Sequence, residues 1–397
     1  MDTTYNSKLA DAANPWGAVT CLTLMTFALV ASEFMPVSLL TPIAHDLAIT
    51  EGQAGQAISV SGFFAVATSL FSNALLARLD RRTVVLIYTA VLVLSGLIIT
   101  FAPNYLAFMV GRALIGVSIG GFWSLSTAIA ARIASGPDLP KALAMLQAGT
   151  ALASVIGAPL GSFLGGLIGW RGAFFIVVPV GIAAFVWQTA VLPSMPGGGR
   201  ASIRRTFGLL GNRAFAMGMA AMSLFFMGQF ALSTYLRPVL EGVTGLGVNT
   251  LSLALLAIGL AGLAGTSVIG LVLRTHLSAT LIAFPATLAV VALLLIGLAP
   301  LAVATAALLI VWGFFTTPIP VAWGTWMTRV IPSELEAGGG LQVALIQFAI
   351  TAGAFTGGLL FDGAGWRSPF VLSALLLLGS ALTAIVATRS PIATPNN

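Results

Sequence analysis

The sequence predicts an all-α membrane protein of twelve transmembrane helices in two pseudosymmetric six-helix halves, and three observations carry that prediction. The 397 residues are 58% hydrophobic and only 7% charged, whereas an ordinary soluble domain is about a quarter charged residues. Apolar stretches recur along the whole chain, each long enough to cross a hydrocarbon core of about 30 Å as a helix of roughly 20 residues. Sliding the chain against itself by 196 residues aligns features of the first six stretches with those of the last six.

In chain order the expected spans are 16–40, 53–76, 83–101, 105–132, 141–168, 173–192, 214–239, 249–273, 277–299, 301–329, 337–361 and 368–388. The first is longer than a secretion-signal core, carries Glu33 and has no small-residue cleavage pattern after it, so it is expected to be a retained span. Residues 1–192 read as an N-terminal six-helix bundle and 214–397 as a C-terminal one. Between them, 193–213 holds Pro196-Gly197-Gly198-Gly199 and four arginines; such a stretch cannot bury enough apolar surface to fold alone and reads as a cytoplasmic linker. Its glycines lack the Gly-Lys-Ser/Thr ending of a phosphate loop, so no nucleotide-driven pump is implied.

The repeat rests on several independent matches. Pro42 falls on Pro238, Arg78 on Arg274, Gly157 on Gly353 and Gly161 on Gly357. The loop Gly169-Trp170-Arg171 falls on Gly365-Trp366-Arg367, and Phe174 on Phe370.

A net charge of +6 could suggest nucleic acid, but the basic residues are placed by topology. With a cytoplasmic N-terminus that side receives Lys8, Arg78, Arg81, Arg82, Arg132, Lys141, Arg200, Arg204, Arg205, Arg213, Arg274, Arg329 and Arg389, and the outer loops and helix ends only Arg171, Arg237 and Arg367. This positive-inside bias places both termini in the cytoplasm, and no nucleic-acid partner is expected. The single cysteine, Cys21, lies inside the first span, so it can form no intramolecular disulfide and is read as packing.

Six plus six helices around a central cytoplasmic linker is the architecture of major facilitator carriers, which this chain resembles over nearly its full length. Gly111-Arg112-Ala113-Leu114-Ile115-Gly116 with Gly120-Gly121 is similar to the Arg/Gly motif of span four in that superfamily. Gly157-Ala158-Pro159-Leu160-Gly161 is similar to the span-five motif of its antiporters. The loop after span two departs from the pattern: Arg78, Arg81 and Arg82 are present, but Ala77 and Asp80 stand where the family has Asp and Gly. The resemblance implies gating or helix-packing roles for Arg78, Arg81, Arg82, Gly157, Pro159 and Gly161, and the departure weakens the gating role of the loop.

Glu33 is the one acidic residue placed deep in a span. An ionisable group there costs roughly 2.5 to 3.5 kcal/mol on insertion scales and usually faces a cavity or a proton path. Desolvation disfavours its charged form and a nearby cation favours it, so its protonation would follow the side it faces. Arg112 is its expected partner. By residue count both lie roughly 10 to 12 Å below the outer surface, and Arg112 shares a helix face with Gly116, Gly120 and Trp123. Arg112 reads equally well as a brace between spans one and four.

Gln229 occupies the repeat position of Glu33, with Phe225, Phe226 and Ser233 on its face. Gln147 and Ser154 in span five, and Trp312, Thr316, Trp323 and Trp326 in span ten, also combine polar groups with aromatic rings. Gln229, Trp123, Gln147, Phe226 and Trp323 are the candidate substrate-binding residues. A cavity of amides, aromatic faces and one carboxylate suits a flat, polar, mostly neutral solute. Pro36, Pro42, Pro318 and Pro320 remove backbone donors within spans, either as kinks or at the border of a transport site.

Whole segments narrow the resemblance further. Glu33-Phe34-Met35-Pro36-Val37-Ser38-Leu39-Leu40-Thr41-Pro42, Gly121-Phe122-Trp123, Ala158-Pro159-Leu160-Gly161-Ser162-Phe163-Leu164-Gly165, Gly228-Gln229-Phe230, Tyr235-Leu236-Arg237-Pro238 and Pro320-Val321-Ala322-Trp323 resemble bacterial purine ribonucleoside efflux transporters, in the drug/proton antiporter-like branch. The resemblance implies proton-driven export of nucleosides such as inosine or guanosine across a bacterial inner membrane, with a multidrug or sugar exporter as the alternative. No enzyme is expected, because no paired carboxylates, nucleophile with its base or His-rich cluster is visible; His45 and His276 lie far apart near loops. No cofactor or metal is expected, and the functional unit reads as a monomer whose partners are lipid, protons and a nucleoside-like solute.

Overall fold

The structure, a computed structural model, describes residues 15–76, 78–134, 138–196, 207–332 and 334–389. The described residues form helices joined by short turns: α1 (Pro15–Asp46), α2 (Glu51–Leu75), α3 (Arg81–Thr100), α4 (Tyr105–Ile133), α5 (Leu139–Phe175), α6 (Val177–Val191), α7 (Arg213–Ser233), α8 (Leu236–Gly242), α9 (Val248–Leu298), α10 (Ala302–Thr316), α11 (Ile319–Val330), α12 (Leu335–Ala364) and α13 (Arg367–Arg389). Several starts are written locally. Thr50 and Gln53 close a capping box on α2, and Asp80, Asn104 and Asn212 accept from the first-turn amides of α3, α4 and α7, satisfying donors that a helix leaves open.

Ten stretches of the described chain are long and apolar enough to cross a membrane. Two of them, Lys141–Val191 and Val248–Leu298, run for 51 residues, about 76 Å of helix at 1.5 Å per residue and more than twice the core thickness. Each is interrupted where the expected boundary between two spans falls, at Gly169 (φ 75°) and at His276 (φ −125°, ψ 31°). The expected end of the first span at 40 is corrected: α1 continues to Asp46, where Arg171 pairs with the Asp46 carboxylate and the Trp170 indole donates to it at 3.2 Å. Expected spans seven and ten are each divided, at 234–235 and at 317–318. Pro36 and Pro42 lie inside a continuous α1, whereas Pro318 and Pro320 sit at the break between α10 and α11.

Buried apolar side chains gather into two large clusters. One is drawn from positions 18–195 plus Tyr235, the other from 215–387 plus Ile58. Large apolar side chains such as Leu167, Leu271, Val303, Leu375 and Leu382 are more than half exposed on the outside, as a hydrocarbon solvent permits.

Contacts recur at the same offset as the sequence. A Cβ on Gly157 would lie 3.4 Å from Ala31 Cα, and Gly353 faces the backbone of Met227; both members of the pair shift by 196. Gly161 faces Met35 and Gly357 faces Ala231, again 196 apart. Gly169 and Gly365 both take positive φ, which only glycine adopts freely. Their following tryptophans meet Phe174 and Phe370 edge-on at 6.2 and 5.9 Å, and Arg171 and Arg367 lie over those indoles.

Candidate functional site

Glu33 sits midway along α1 and is only 4% exposed. Its neighbour Phe34 stacks on Phe230 of α7 at 5.4 Å between ring centroids. Phe34 and Phe230 are one position repeated, so the axis relating the halves passes between their rings, with Glu33 and Gln229 flanking it. A helix position on such an axis faces the partner half, which accounts for an ionisable group being tolerated there.

Glu33 Oε1 accepts from Gln347 Nε2 of α12 at 3.2 Å, a hydrogen bond between halves. Gln347 Oε1, Gln229 Oε1 and Trp323 Nε1 are buried without a hydrogen-bond partner. Buried polar atoms are rarely left so, and these offer two acceptors and a donor inside the bundle.

Arg112 meets Glu33 differently from the expected ion pair. Its fully buried guanidinium donates to the carbonyls of Ala57 (3.1 Å), Ser32 (2.9 Å) and Glu33 (2.8 Å) and to Ser61 Oγ (3.0 Å). The two residues share a depth, but the arginine holds the backbone of α1. The reason is Pro36. It has no N–H for the Ser32 carbonyl four residues earlier, and in a membrane helix that acceptor must be met by a neighbour. Gly116 and Gly120 make the neighbour's approach possible, since a Cβ on either would strike the Ser61 or Ala65 carbonyl of α2.

The other expected site residues distribute as follows. Trp123 is half-buried, edge-on to Phe122, and Gln147 is exposed on α5. Phe226 and Trp323 are enclosed in the core of the second half, at 7% and 0% exposure. Gly157, Pro159 and Gly161 lie on α5, with both glycines against α1. Arg78 is exposed and Arg81 buried; Arg82 donates to the Thr189 carbonyl at 2.5 Å, and Asp80 accepts from Ser194 at 2.5 Å, tying the start of α3 to the end of α6. Ala77 and the glycines and arginines of 197–206 lie outside the described residues.

Two participants were not legible as such. Gln347 falls on Ala151 in the repeat, so internal symmetry gave no signal for it. Arg237, expected at a helix end, lies at the start of α8; what the sequence did not show is that it is 5% exposed, bonded to Glu241 at 2.8 Å and to the Ser38 carbonyl of α1.

A series of hydrogen bonds joins the halves from the depth of Glu33 towards one end. Thr50 donates to Asp362 at 2.5 Å and Gly52 N at 3.1 Å; Gln56 reaches the Phe355 carbonyl at 3.4 Å; Ser252 donates to Ser162 at 2.9 Å. The bundle is closed at the end opposite Pro15 and Arg389.

Residues 22–342 match a family model described as Major Facilitator Superfamily. A transcription regulatory protein, OpdE of Pseudomonas aeruginosa, is 49% identical over 384 residues, 96% of each chain. A purine ribonucleoside efflux pump, NepI of Escherichia coli O6:K15:H31, is 41% identical over 367 residues, 92% of this chain and 93% of that protein. The crystal structure of a bacterial homolog of the human lysosomal transporter Spinster, inward-facing and unoccupied, superposes with a TM-score of 0.73 at 14% identity over 98% of both chains.

Proposed function

Because the chain belongs to the Major Facilitator Superfamily, we propose that it is a proton-coupled antiporter that exports purine ribonucleosides such as inosine and guanosine by alternating access. The observation that carries this reading is Glu33, a buried carboxyl on the line between the halves, held by Gln347 of the other half. A group so placed can exchange a proton with one side and then the other as the halves rock. Relatives of about 40% identity named as purine ribonucleoside efflux pumps support the substrate class. So do the unpartnered amide oxygens of Gln229 and Gln347, which suit the hydrogen-bonding edge of a purine.

The two 51-residue stretches are read as two crossings each, which makes twelve, with 1–192 and 214–397 as the rocking bundles and 193–213 as their linker. Both termini lie in the cytoplasm of a bacterial inner membrane, and the closed end of the bundle is then the outer one. Glu33 takes a proton from outside and releases it inside as the nucleoside leaves. One proton exchanged for a neutral solute moves one charge; 100 mV supplies about 2.3 kcal/mol, enough for a gradient of about fifty-fold. Arg112 keeps α1 in place beside Glu33. Gln229, Trp123 and Gln147 contact the solute, while Phe226 and Trp323 shape the cavity wall from behind.

The relative named for transcriptional regulation favours a second reading. Export of an inducing metabolite changes transcription without any contact with DNA, so a carrier of this family can act on expression through its substrate.

The test is proton movement in oriented vesicles holding the purified protein, with inosine, a sugar and a lipophilic cationic drug compared, and Glu33→Gln alongside. Inosine-triggered flux that the variant lacks supports the proposal; flux with the drug or sugar alone moves the assignment to a multidrug or sugar exporter. Undiminished flux in Glu33→Gln removes Glu33 from the coupling.

A further inference from the structure

Pro42 leaves a second carbonyl of α1 without its helical donor, that of Ser38, four residues earlier. The acceptor is filled from the opposite half: Arg237 of α8 donates to it. Arg237 is 5% exposed, and Glu241, one turn on, fixes its guanidinium from the other side at 2.7 Å. Arg237 can reach α1 because the helix breaks at 234–235. Beside it Tyr235, fully buried, donates to the Ala354 carbonyl at 2.8 Å and packs where Gly55 and Gly358 leave room.

The arrangement has no counterpart in the other direction. Pro42 and Pro238 are repeat partners, but the position before Pro42 is Thr41, whose hydroxyl is buried and unpartnered. The acceptor is therefore on α1 and the arginine on α8, and the contact exists only while this end of the bundle is shut. Ser38 lies five residues from Glu33 on one helix, about 7.5 Å along its axis.

We infer that Arg237 is a positioning residue for the transport cycle, a clasp that holds the end opposite Pro15 and Arg389 closed by completing the α1 backbone at the carbonyl freed by Pro42. The inference rests on the alternating-access reading. When that end opens, the Ser38 carbonyl loses its donor and must be served by water entering the cleft, so opening and hydration of α1 are one event.

Spin labels at Pro103→Cys and Gly363→Cys, in the full chain with Cys21→Ser, report the separation of the halves at this end. Both sites are exposed. Arg237→Gln is expected to raise the ratio of separated to closed populations roughly tenfold, the effect of losing one charge-assisted hydrogen bond. Pro42→Ala, which returns a helical donor and does not threaten folding, is expected to shift the ratio in the same direction. Adding Arg237→Gln to Pro42→Ala is then expected to shift it little further. An unchanged distribution in Pro42→Ala, or an equally large effect of Arg237→Gln in both backgrounds, overturns the inference. The distances are read without solute or proton gradient, so a failure of nucleoside export leaves this result standing.

Discussion

Phe34 and Phe230, equivalent residues of the two halves, stack on each other at 5.4 Å with their rings inclined by 30°. A repeat position in contact with its own image marks the axis of the molecule, and Glu33 is the adjacent residue. Aromatic pairs contribute about 0.5 to 1.5 kcal/mol beyond their buried area. A double-mutant cycle of Phe34→Leu and Phe230→Leu, read as the distribution of inter-half distances, is expected to show coupling of that size. Additive effects would mean the stack does not help hold the halves together.

Gln347→Leu removes the donor to Glu33 and leaves the carboxylate without its cross-half partner. Inosine export driven by a pH gradient in proteoliposomes is expected to fall roughly tenfold or more, with Gln347→Asn recovering only part. An unchanged rate would separate this hydrogen bond from the coupling.

Arg112→Lys retains the charge but offers a single ammonium where a planar fork serves four acceptors. Each buried carbonyl left unmet costs about 1 to 3 kcal/mol, so the purified protein is expected to have a lower Tm. Pro36→Ala in that background supplies the Ser32 carbonyl with a helical N–H and should recover part of the loss. A Tm that does not respond to Pro36→Ala would show that Ser32 is satisfied otherwise.

Gly116→Ala and Gly120→Ala drive a methyl into the Ser61 and Ala65 carbonyls, separating α4 from α2 and lengthening the reach required of Arg112. Overpacking of this kind costs about 1 to 3 kcal/mol. Gly340→Ala, with open space around its Cβ, is the control. Equal thermal stability across the three variants would mean that α2 can retreat at no cost.

Asp362→Asn removes the charge that one half places on the N-terminus of α2 in the other. Helix-terminal carboxylates contribute about 0.3 to 1 kcal/mol, so a modest shift towards the separated state is expected in the same distance measurement, smaller than that of Arg237→Gln. A shift of the opposite sign would show that Asp362 opposes closure.

Much of the scaffold was readable from residue order. The starts of α2, α3, α4 and α7 follow capping residues at Thr50, Asp80, Asn104 and Asn212, and the break at Gly169 follows from a glycine that the repeat places again at Gly365. Glu33 stood out because a carboxylate is costly in hydrocarbon. Its partners did not, since hydrogen bonding to Glu33 from Gln347 depends on how α1 and α12 are set against each other across the two halves. The role of Arg112 was half visible: its depth could be counted along a helix, but not that Pro36 had made a carbonyl the stronger claimant for the guanidinium.

By itself the sequence determined that this chain lives in a bilayer, that it repeats after 196 residues, and that Glu33 and Gln229 are equivalent positions. Composition, periodicity and repeat spacing are properties of residues in order, and each survives without coordinates. Only the tertiary structure decided that Arg112 and Arg237 both serve the backbone of α1, at the two carbonyls released by Pro36 and Pro42. A missing donor is written locally, but the group that replaces it is chosen by which neighbour packing brings within hydrogen-bond reach.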